Sequence, residues 1–331
     1  MSTAGRIPVL VVGGFLGSGK TSLLRHMLAG ATDTAVIVNE FGAVGLDHQL
    51  LRACEERVEL LGGGCACCTR RADLVRALRD LLDAHDRGVS PLSRVVIETS
   101  GLADPAPIVF TITNDPMLRH HYEVERLVVT VDAVNWSDQL GTHAEARKQV
   151  LVADELVITK LDLVEHEHTA GAAMAAALRA LNPAATLKTA LHGMLGDAPP
   201  DAVQTQRTTH STAETTANGL AHTDDVSSLS LRPDGPIDWL GFAVWLSMLL
   251  HARGQDVLRV KGLIELDDHT LVSVNGVQHV VHTPEHLDRG AIPDPTAGIV
   301  FITRGIEIER LRASFDGFQR LARATSRLET T

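Results

Sequence analysis

The sequence predicts an α/β chain with a mostly parallel sheet, followed by a smaller α+β domain. Three observations predict it. Short β-branched apolar runs alternate with helical patterns through the first 190 residues. From residue 201 to 228 the composition turns to Thr, Ser, Ala, Gln and His, with too few large apolar side chains to offset the entropy of ordering. Beyond that stretch one apolar helical pattern precedes several closely spaced strand patterns and a final helix.

Strands are expected at residues 8–12, 35–39, 94–98, 127–131, 156–159 and 186–189, apolar enough to be buried on both faces. Helices are expected between them at 20–28, 72–86 and 169–181, the last stopped by Asn182-Pro183. In the second part, residues 238–253 read as an amphipathic helix, and 256–266, 270–274, 277–282 and 298–303 as strands. Ile308, Leu311, Phe315, Phe318 and Leu321 then recur at helical spacing, which lays one apolar stripe on that sheet. The organisation is a first domain over 1–200, a linker over 201–230 and a second domain over 231–331.

A chain of 331 residues, 44% of them apolar, is long enough for two separate cores. Its 41 acidic residues outnumber 30 basic ones, for a formal charge of −11, and no basic tract tracks a phosphate backbone, so nucleic acid is not the expected partner. No apolar run has signal-peptide or membrane-spanning length, and the chain reads as a cytoplasmic protein without a membrane partner. Three of the four cysteines fall between positions 65 and 68, too close for a disulfide framework. Metal or redox chemistry is the better expectation for them.

Residues 14–21, Gly-Phe-Leu-Gly-Ser-Gly-Lys-Thr, match the Walker A pattern between an apolar strand and a helix, the context that pattern requires. The domain is therefore expected to be a P-loop NTPase. Gly14, Gly17 and Gly19 let backbone N–H groups converge on phosphates, with Ser18 and Ser22 beside them. Lys20 would reach the outer phosphates and the Thr21 hydroxyl would bind Mg²⁺. Glu98 ends a buried strand where the phosphates would sit, so it reads as the second Mg²⁺ residue, and Gly101 would approach the γ-phosphate. Lys20, Thr21 and Glu98 are the expected catalytic set.

Thr159-Lys160-Leu161-Asp162 follows another apolar strand. Asp162 can accept from both guanine N1–H and its exocyclic amine, a pair of donors that adenine lacks, and Lys160 would lay its stem on the base. GTP and GDP are the expected nucleotides, although the usual first residue of this motif is Asn and here it is Thr159.

Residues 61–69, Leu-Gly-Gly-Gly-Cys-Ala-Cys-Cys-Thr, place the thiols of Cys65, Cys67 and Cys68 beside a triple glycine. Thiolates are soft ligands for Zn²⁺ and related ions, and three of them leave a coordination position open for transfer. A Cys-rich turn used for packing or redox sensing remains the alternative.

On these residues the chain resembles the CobW-type metallochaperone GTPases, relatives of the nickel-enzyme maturation factors UreG and HypB. The resemblance rests on the Walker A segment at 13–21, Asn-Glu-Phe-Gly at 39–42, Gly-Cys-Ala-Cys-Cys-Thr at 64–69, Glu-Thr-Ser-Gly-Leu-Ala-Asp-Pro at 98–105 and Thr-Lys-Leu-Asp at 159–162. Val-Leu-Arg-Val-Lys-Gly at 257–262 and Gly-Val-Gln-His-Val at 276–280 look like that family's C-terminal module. It implies a GTPase carrying Cys65, Cys67 and Cys68 as ligands for zinc, or for cobalt or iron, and delivering the metal to a client metalloprotein. It also implies a switch segment at 39–47 that GTP orders. The family has Glu after the Phe-Gly of the switch where this chain has Ala43, while Glu40 and Asp47 remain nearby acids.

Cys54 is isolated, and His120, His121, His166, His168, His210 and His222 form no metal-storage tract. Two rival functions stay open at this level: a P-loop small-molecule kinase, and a nucleotide-binding metal or redox module without coupled turnover. The client, the physiological metal and the oligomeric state, a homodimer included, are not written in the sequence.

Overall fold

In the computed structural model, the described residues are 5–29, 31–39, 58–60, 67–197, 226–233, 235–266, 270–278, 280–281, 284–287 and 298–329. The chain divides into two compact units, Met1–Ala180 with Ala185–Thr216, and Leu181–Ala184 with Ala217–Thr331.

The first unit runs β1 (Ile7–Gly14), α1 (Lys20–Leu28), β2 (Thr34–Asn39), β3 (Val58–Leu60), α2 (Cys67–Asp86), β4 (Arg94–Thr99), α3 (Ala106–Asn114) and α4 (Leu118–His121). It continues through β5 (Tyr122–Asp132), α5 (Trp136–Thr142), α6 (Ala144–Val152), β6 (Glu155–Thr159), α7 (Glu167–Leu181), β7 (Thr186–Leu191) and β8 (Met194–Asp197). The eight strands stand in the order β3-β2-β4-β1-β5-β6-β7-β8, and only β8 is antiparallel to its neighbour. Val9, Leu10, Val11 and Val12 are fully buried, as a central strand covered on both faces requires. On one face Leu23, Leu24 and Leu28 of α1 pack on Leu10, Val12, Val36, Val96, Val128 and Val157. Burying each leucine stabilises the unit by about 1.5–3 kcal/mol.

Several elements exceed the expectation from sequence. Helix α2 begins at Cys67 rather than at residue 72, because its apolar stripe of Leu74, Leu78 and Leu82 starts only in the second turn and the first shows no periodicity. Strand β5 begins at Tyr122 rather than 127; Glu123, Glu125 and Arg126 interrupt the apolar run, yet Tyr122 is buried and its hydroxyl donates to Leu78 O at 2.7 Å. The β7–β8 hairpin turns at His192 and Gly193, with φ of 50° and 91°, the paired positive φ of a tight hairpin turn.

The second unit comprises β9 (Val226–Leu231), α8 (Trp239–Arg253), β10 (Val257–Glu265), β11 (Leu271–Val277), β12 (Val280–Val281), β13 (Glu285–Leu287), β14 (Gly298–Arg304) and α9 (Ile308–Glu329). The strands form an antiparallel sheet, ordered β12-β11-β10-β14-β9 with β13 also on β11. Three expectations are corrected here. Residues 226–230, assigned to the linker, belong to edge strand β9, where Leu229 and Leu231 face the core between exposed or half-buried serines. The break expected at Asn275-Gly276 is absent, since the β10 ladder continues through Gly276 and Val277 and the chain reverses at Gln278 (φ 53°). Leu321 is 66% exposed; the stripe packed on the core runs through Ile308, Leu311, Phe315 and Phe318. Helix α8 is also less amphipathic than expected, with Leu240, Val244 and Met248 exposed.

Trp245 anchors this second core. Its ring lies edge-on to Phe301 and Phe315, with centroids 5.6 and 5.2 Å away, and its Nε1–H donates to Ser314 Oγ at 3.0 Å. Trp245→Phe is expected to destabilise this unit by about 1–2 kcal/mol through the lost hydrogen bond and aromatic contact, read as a lower denaturant midpoint. Among the described residues no helix is long and apolar enough to cross a membrane.

Candidate nucleotide site

The site is built on four strands adjacent in the sheet, β4, β1, β5 and β6, whose C-terminal ends lie side by side. The register sets Val12 beside Glu98, Gly14 beside Thr130 and Asp132 beside Thr159. Parallel α/β sheets bind ligands at this edge because loops and helix N-termini gather there.

The P-loop bends through positive φ at Gly14 (142°), Gly17 (72°) and Gly19 (88°), and Gly19 opens α1. Gly14 has the least room: a Cβ there would lie 2.2 Å from Thr130 Oγ1 and 2.7 Å from Thr130 O. Lys20 Nζ donates to Gly14 O at 2.9 Å and Phe15 O at 3.2 Å, so the ammonium lies inside the loop it would bridge to a phosphate. The Thr21 hydroxyl donates to Glu98 Oε1 at 3.2 Å, and Glu98 is buried. A hydroxyl and a carboxylate meeting at the phosphate edge are hard oxygen donors of the type Mg²⁺ takes.

The side chains of Ser18 and Ser22 have different surroundings. Ser18 is fully buried with its Oγ 2.7 Å from Thr130 Oγ1, so its hydroxyl ties the loop to β5. Ser22 is exposed on α1, and its carbonyl lies where the hairpin turn arrives: a Cβ on Gly193 would be 2.4 Å from it. Gly101 abuts the P-loop backbone, since a Cβ there would stand 2.8 Å from Leu16 N and 2.9 Å from Leu16 Cα.

At the base end, the Thr159 hydroxyl shares its proton between Ser18 O at 2.8 Å and Val131 O at 3.2 Å. Thr159 thus tethers the P-loop to β6. Lys160 adopts φ of 60°, and Nζ donates to Asp132 Oδ2 at 2.9 Å. Asp162 sits in a 3₁₀ turn, Leu161–Leu163, with Oδ2 4.0 Å from His192 Nε2. Sequence reasoning missed Asp132, which is 1% exposed and also accepts from Asn135 Nδ2 and Val134 N–H. The signal existed, for it is an acid at the end of a buried strand, as Glu98 is. Burial alone would raise the Asp132 pKa; the Lys160, Asn135 and Val134 hydrogen bonds and the Lys160 charge outweigh it and hold the carboxyl below its ordinary value.

Cys67 and Cys68 form the first turn of α2. Cys65, the triple glycine, Glu40, Ala43, Asp47, Cys54, His210 and His222 lie outside the described residues, as do the side chains of Asn39, Cys67 and Cys68. His166 and His168 are exposed at the start of α7. Among the described residues no group of three or more His, Cys, Asp or Glu side chains is placed to hold a metal ion.

The doubly covered parallel sheet, the P-loop after its first strand and the acids on neighbouring strand ends define a P-loop nucleotide-binding protein. Residues 8–188 match the CobW/HypB/UreG nucleotide-binding domain and residues 226–319 the cobalamin synthesis protein CobW C-terminal domain. The chain belongs to the CobW/HypB/UreG family. It is 32% identical to the zinc chaperone YjiA of Escherichia coli over 330 residues, covering 95% of this chain and 99% of that one. The zinc chaperone CobW of Pseudomonas aeruginosa is 38% identical over 161 residues, 45% of this chain and 41% of that protein. The crystal structure of Zn(II)-bound YjiA GTPase from E. coli superposes with a TM-score of 0.67 at 26% identity, over 95% of this chain and 99% of that one.

Proposed function

We propose that this chain is a GTP-hydrolysing metallochaperone that binds a divalent transition metal, zinc first and cobalt or iron after it, and couples its nucleotide cycle to delivery of that metal to a client metalloprotein. The observation that carries the reading is topological. Asn39 ends β2 beside Thr99, and Leu60 ends β3 beside Val38, so the switch segment and the cysteine motif both leave the sheet at the phosphate edge. From β3 to β1 is three strand spacings, about 14 Å. The strand that leads into the switch segment, β2, stands between β3, which leads toward the cysteine motif, and the P-loop strand β1.

Each side chain has a task in that cycle. Lys20 leaves the carbonyls of Gly14 and Phe15 to meet the β- and γ-phosphates. Thr21 and Glu98 would hold Mg²⁺, which would supply positive charge against the phosphates. Asp162 accepts from the guanine edge, and Lys160, held by Asp132, covers the base. Cys65, Cys67 and Cys68 take the cargo ion as thiolates. A switch that moves a metal site from mostly closed to mostly open needs about 5.5 kcal/mol of differential binding, within reach of γ-phosphate contacts.

The test is steady-state GTP hydrolysis by metal-free protein in Mg²⁺, titrated with Zn²⁺ and Co²⁺, beside a variant with Cys65, Cys67 and Cys68 replaced by Ser. Metal is expected to change turnover several-fold in the parent and leave the variant unchanged. Equal turnover with and without metal in both proteins would leave a GTPase whose cysteines have another use.

A further inference from the structure

We infer that Gln149, on α6, is a positioning residue that fixes the Gly101 turn against the P-loop and so sets the preference for GTP over GDP. The inference rests on the proposed role of Gly101 beside the γ-phosphate.

Gln149 is 1% exposed, and its Nε2 donates to Gly101 O at 3.1 Å and to Ala103 O at 2.8 Å. One amide thus spends both N–H groups on alternate carbonyls of the turn after β4. The neighbouring Lys148 Nζ pairs with Asp104 Oδ2 at 2.6 Å, while Asp104 Oδ1 accepts from Ala106 N–H at the start of α3. At the other end of α6, His143 stacks on Phe15 of the P-loop, ring centroids 4.7 Å apart. Helix α6 therefore grips both bodies whose separation decides whether a γ-phosphate fits: the P-loop through Phe15, and the Gly101 turn through Gln149 and Lys148.

The turn can do little without this grip. On its P-loop side Gly101 lies close against Leu16, where an added Cβ would stand 2.7 Å from Cδ2 and 2.8 Å from N, and within the turn Ala103 N–H donates to Ser100 O at 2.9 Å. Removing the Gln149 donors strands two carbonyls and frees the turn to move away from Leu16. Among the described residues, the buried Gln149 Oε1 has no hydrogen-bond partner. A buried amide that leaves half its capacity unmet is an expensive choice for packing alone, since Met or Leu would fill the same volume. With Gly101 beside the γ-phosphate, GDP would stop short of it, and the effect would fall on GTP.

Gln149→Met keeps the volume and removes both donors. Loss of two hydrogen bonds, at about 1 kcal/mol each, predicts a GTP Kd raised roughly 10- to 30-fold, with kcat reduced and GDP Kd changed less than about twofold. Lys148→Met, at a partly exposed position, is expected to shift the GTP-to-GDP ratio the same way by a smaller factor and guards against a folding defect in the first variant. Equal weakening of GTP and GDP, or no change in either, in both variants would overturn the inference and leave Gln149 a packing residue. Gly101→Ala separates the two ideas. If it leaves the GTP-to-GDP ratio unchanged, the reading of Gly101 is wrong; if it shifts the ratio and the α6 variants do not, only the role of Gln149 falls.

Discussion

Gly14→Ala is expected to weaken GTP and GDP binding by about 100-fold or more. The added methyl would stand 2.2 Å from Thr130 Oγ1, 2.6 Å from Ser18 Oγ and 2.7 Å from Thr130 O. Side-chain oxygens can rotate away, but the Thr130 carbonyl belongs to β5, which is in register with Gly14 itself. The φ of 142° adds strain for any L side chain. Overpacking and strain at about 1–3 kcal/mol each predict a lower melting temperature. Nucleotide binding suffers further, because Gly14 O is one of two carbonyls receiving Lys20 Nζ, so moving the loop moves the ammonium. A fall of about 100-fold or more in affinity follows from some 3 kcal/mol of misplacement. Titration calorimetry with GDP checks it, beside Gly17→Ala as a strain-only comparison, since a Cβ there meets open space while its φ of 72° still strains an L side chain. Binding within threefold of the parent by Gly14→Ala would show that the loop can relax where β5 is assumed rigid.

Asp132→Ala is expected to weaken guanine nucleotide binding about 10-fold or more and to destabilise the first unit by roughly 2 kcal/mol, through the lost hydrogen bonds to Lys160, Asn135 and the Val134 N–H. Lys160 would lose the carboxylate that holds its ammonium, while Asp162 would stay in place. Binding should therefore fall for both GTP and GDP, unlike the Gln149 variants. The same carboxylate gives a pH signature. Its folded pKa lies below the ordinary 3.8, so its contribution to stability is complete above that value and is lost as pH falls through the lower, folded one. Acid unfolding followed by circular dichroism should thus show a shallower pH dependence below about pH 4 in Asp132→Asn than in the parent. Identical profiles would mean that Lys160 and the neighbouring donors do not hold the carboxylate ionised.

What was legible in the sequence follows from how local each signal is. Lys20 and Thr21 were readable because a strand, glycines and a helix must follow one another along the chain to make a phosphate loop. Glu98 was singled out by its place at the end of β4, and Asp162 by the motif that follows β6. Asp132 obeys the same rule yet passed unnoticed, because its partner, Lys160, lies 28 positions away, and no short motif encodes the pair. Gln149 carried no signal at all: a glutamine in a short helix acquires meaning only when Gly101 and Ala103, 48 and 46 positions earlier, are brought against it.

The edges of elements show the same division. Strand β9 was hidden in a Ser- and Thr-rich stretch because an edge strand with one face in solvent needs only Leu229 and Leu231 to be apolar. The first turn of α2, with Cys67 and Cys68, was hidden because it has no apolar stripe. By itself the sequence determined the α/β class, the P-loop and its family, since apolar periodicity and contiguous motifs are properties of neighbouring residues. Only the tertiary structure decided that Ser18 is tied to Thr130, that the Thr159 hydroxyl holds Ser18 O, and that α6 grips the Gly101 turn. These are contacts between residues far apart in the chain, and they exist only once the parallel sheet has set the ends of β4, β1, β5 and β6 side by side.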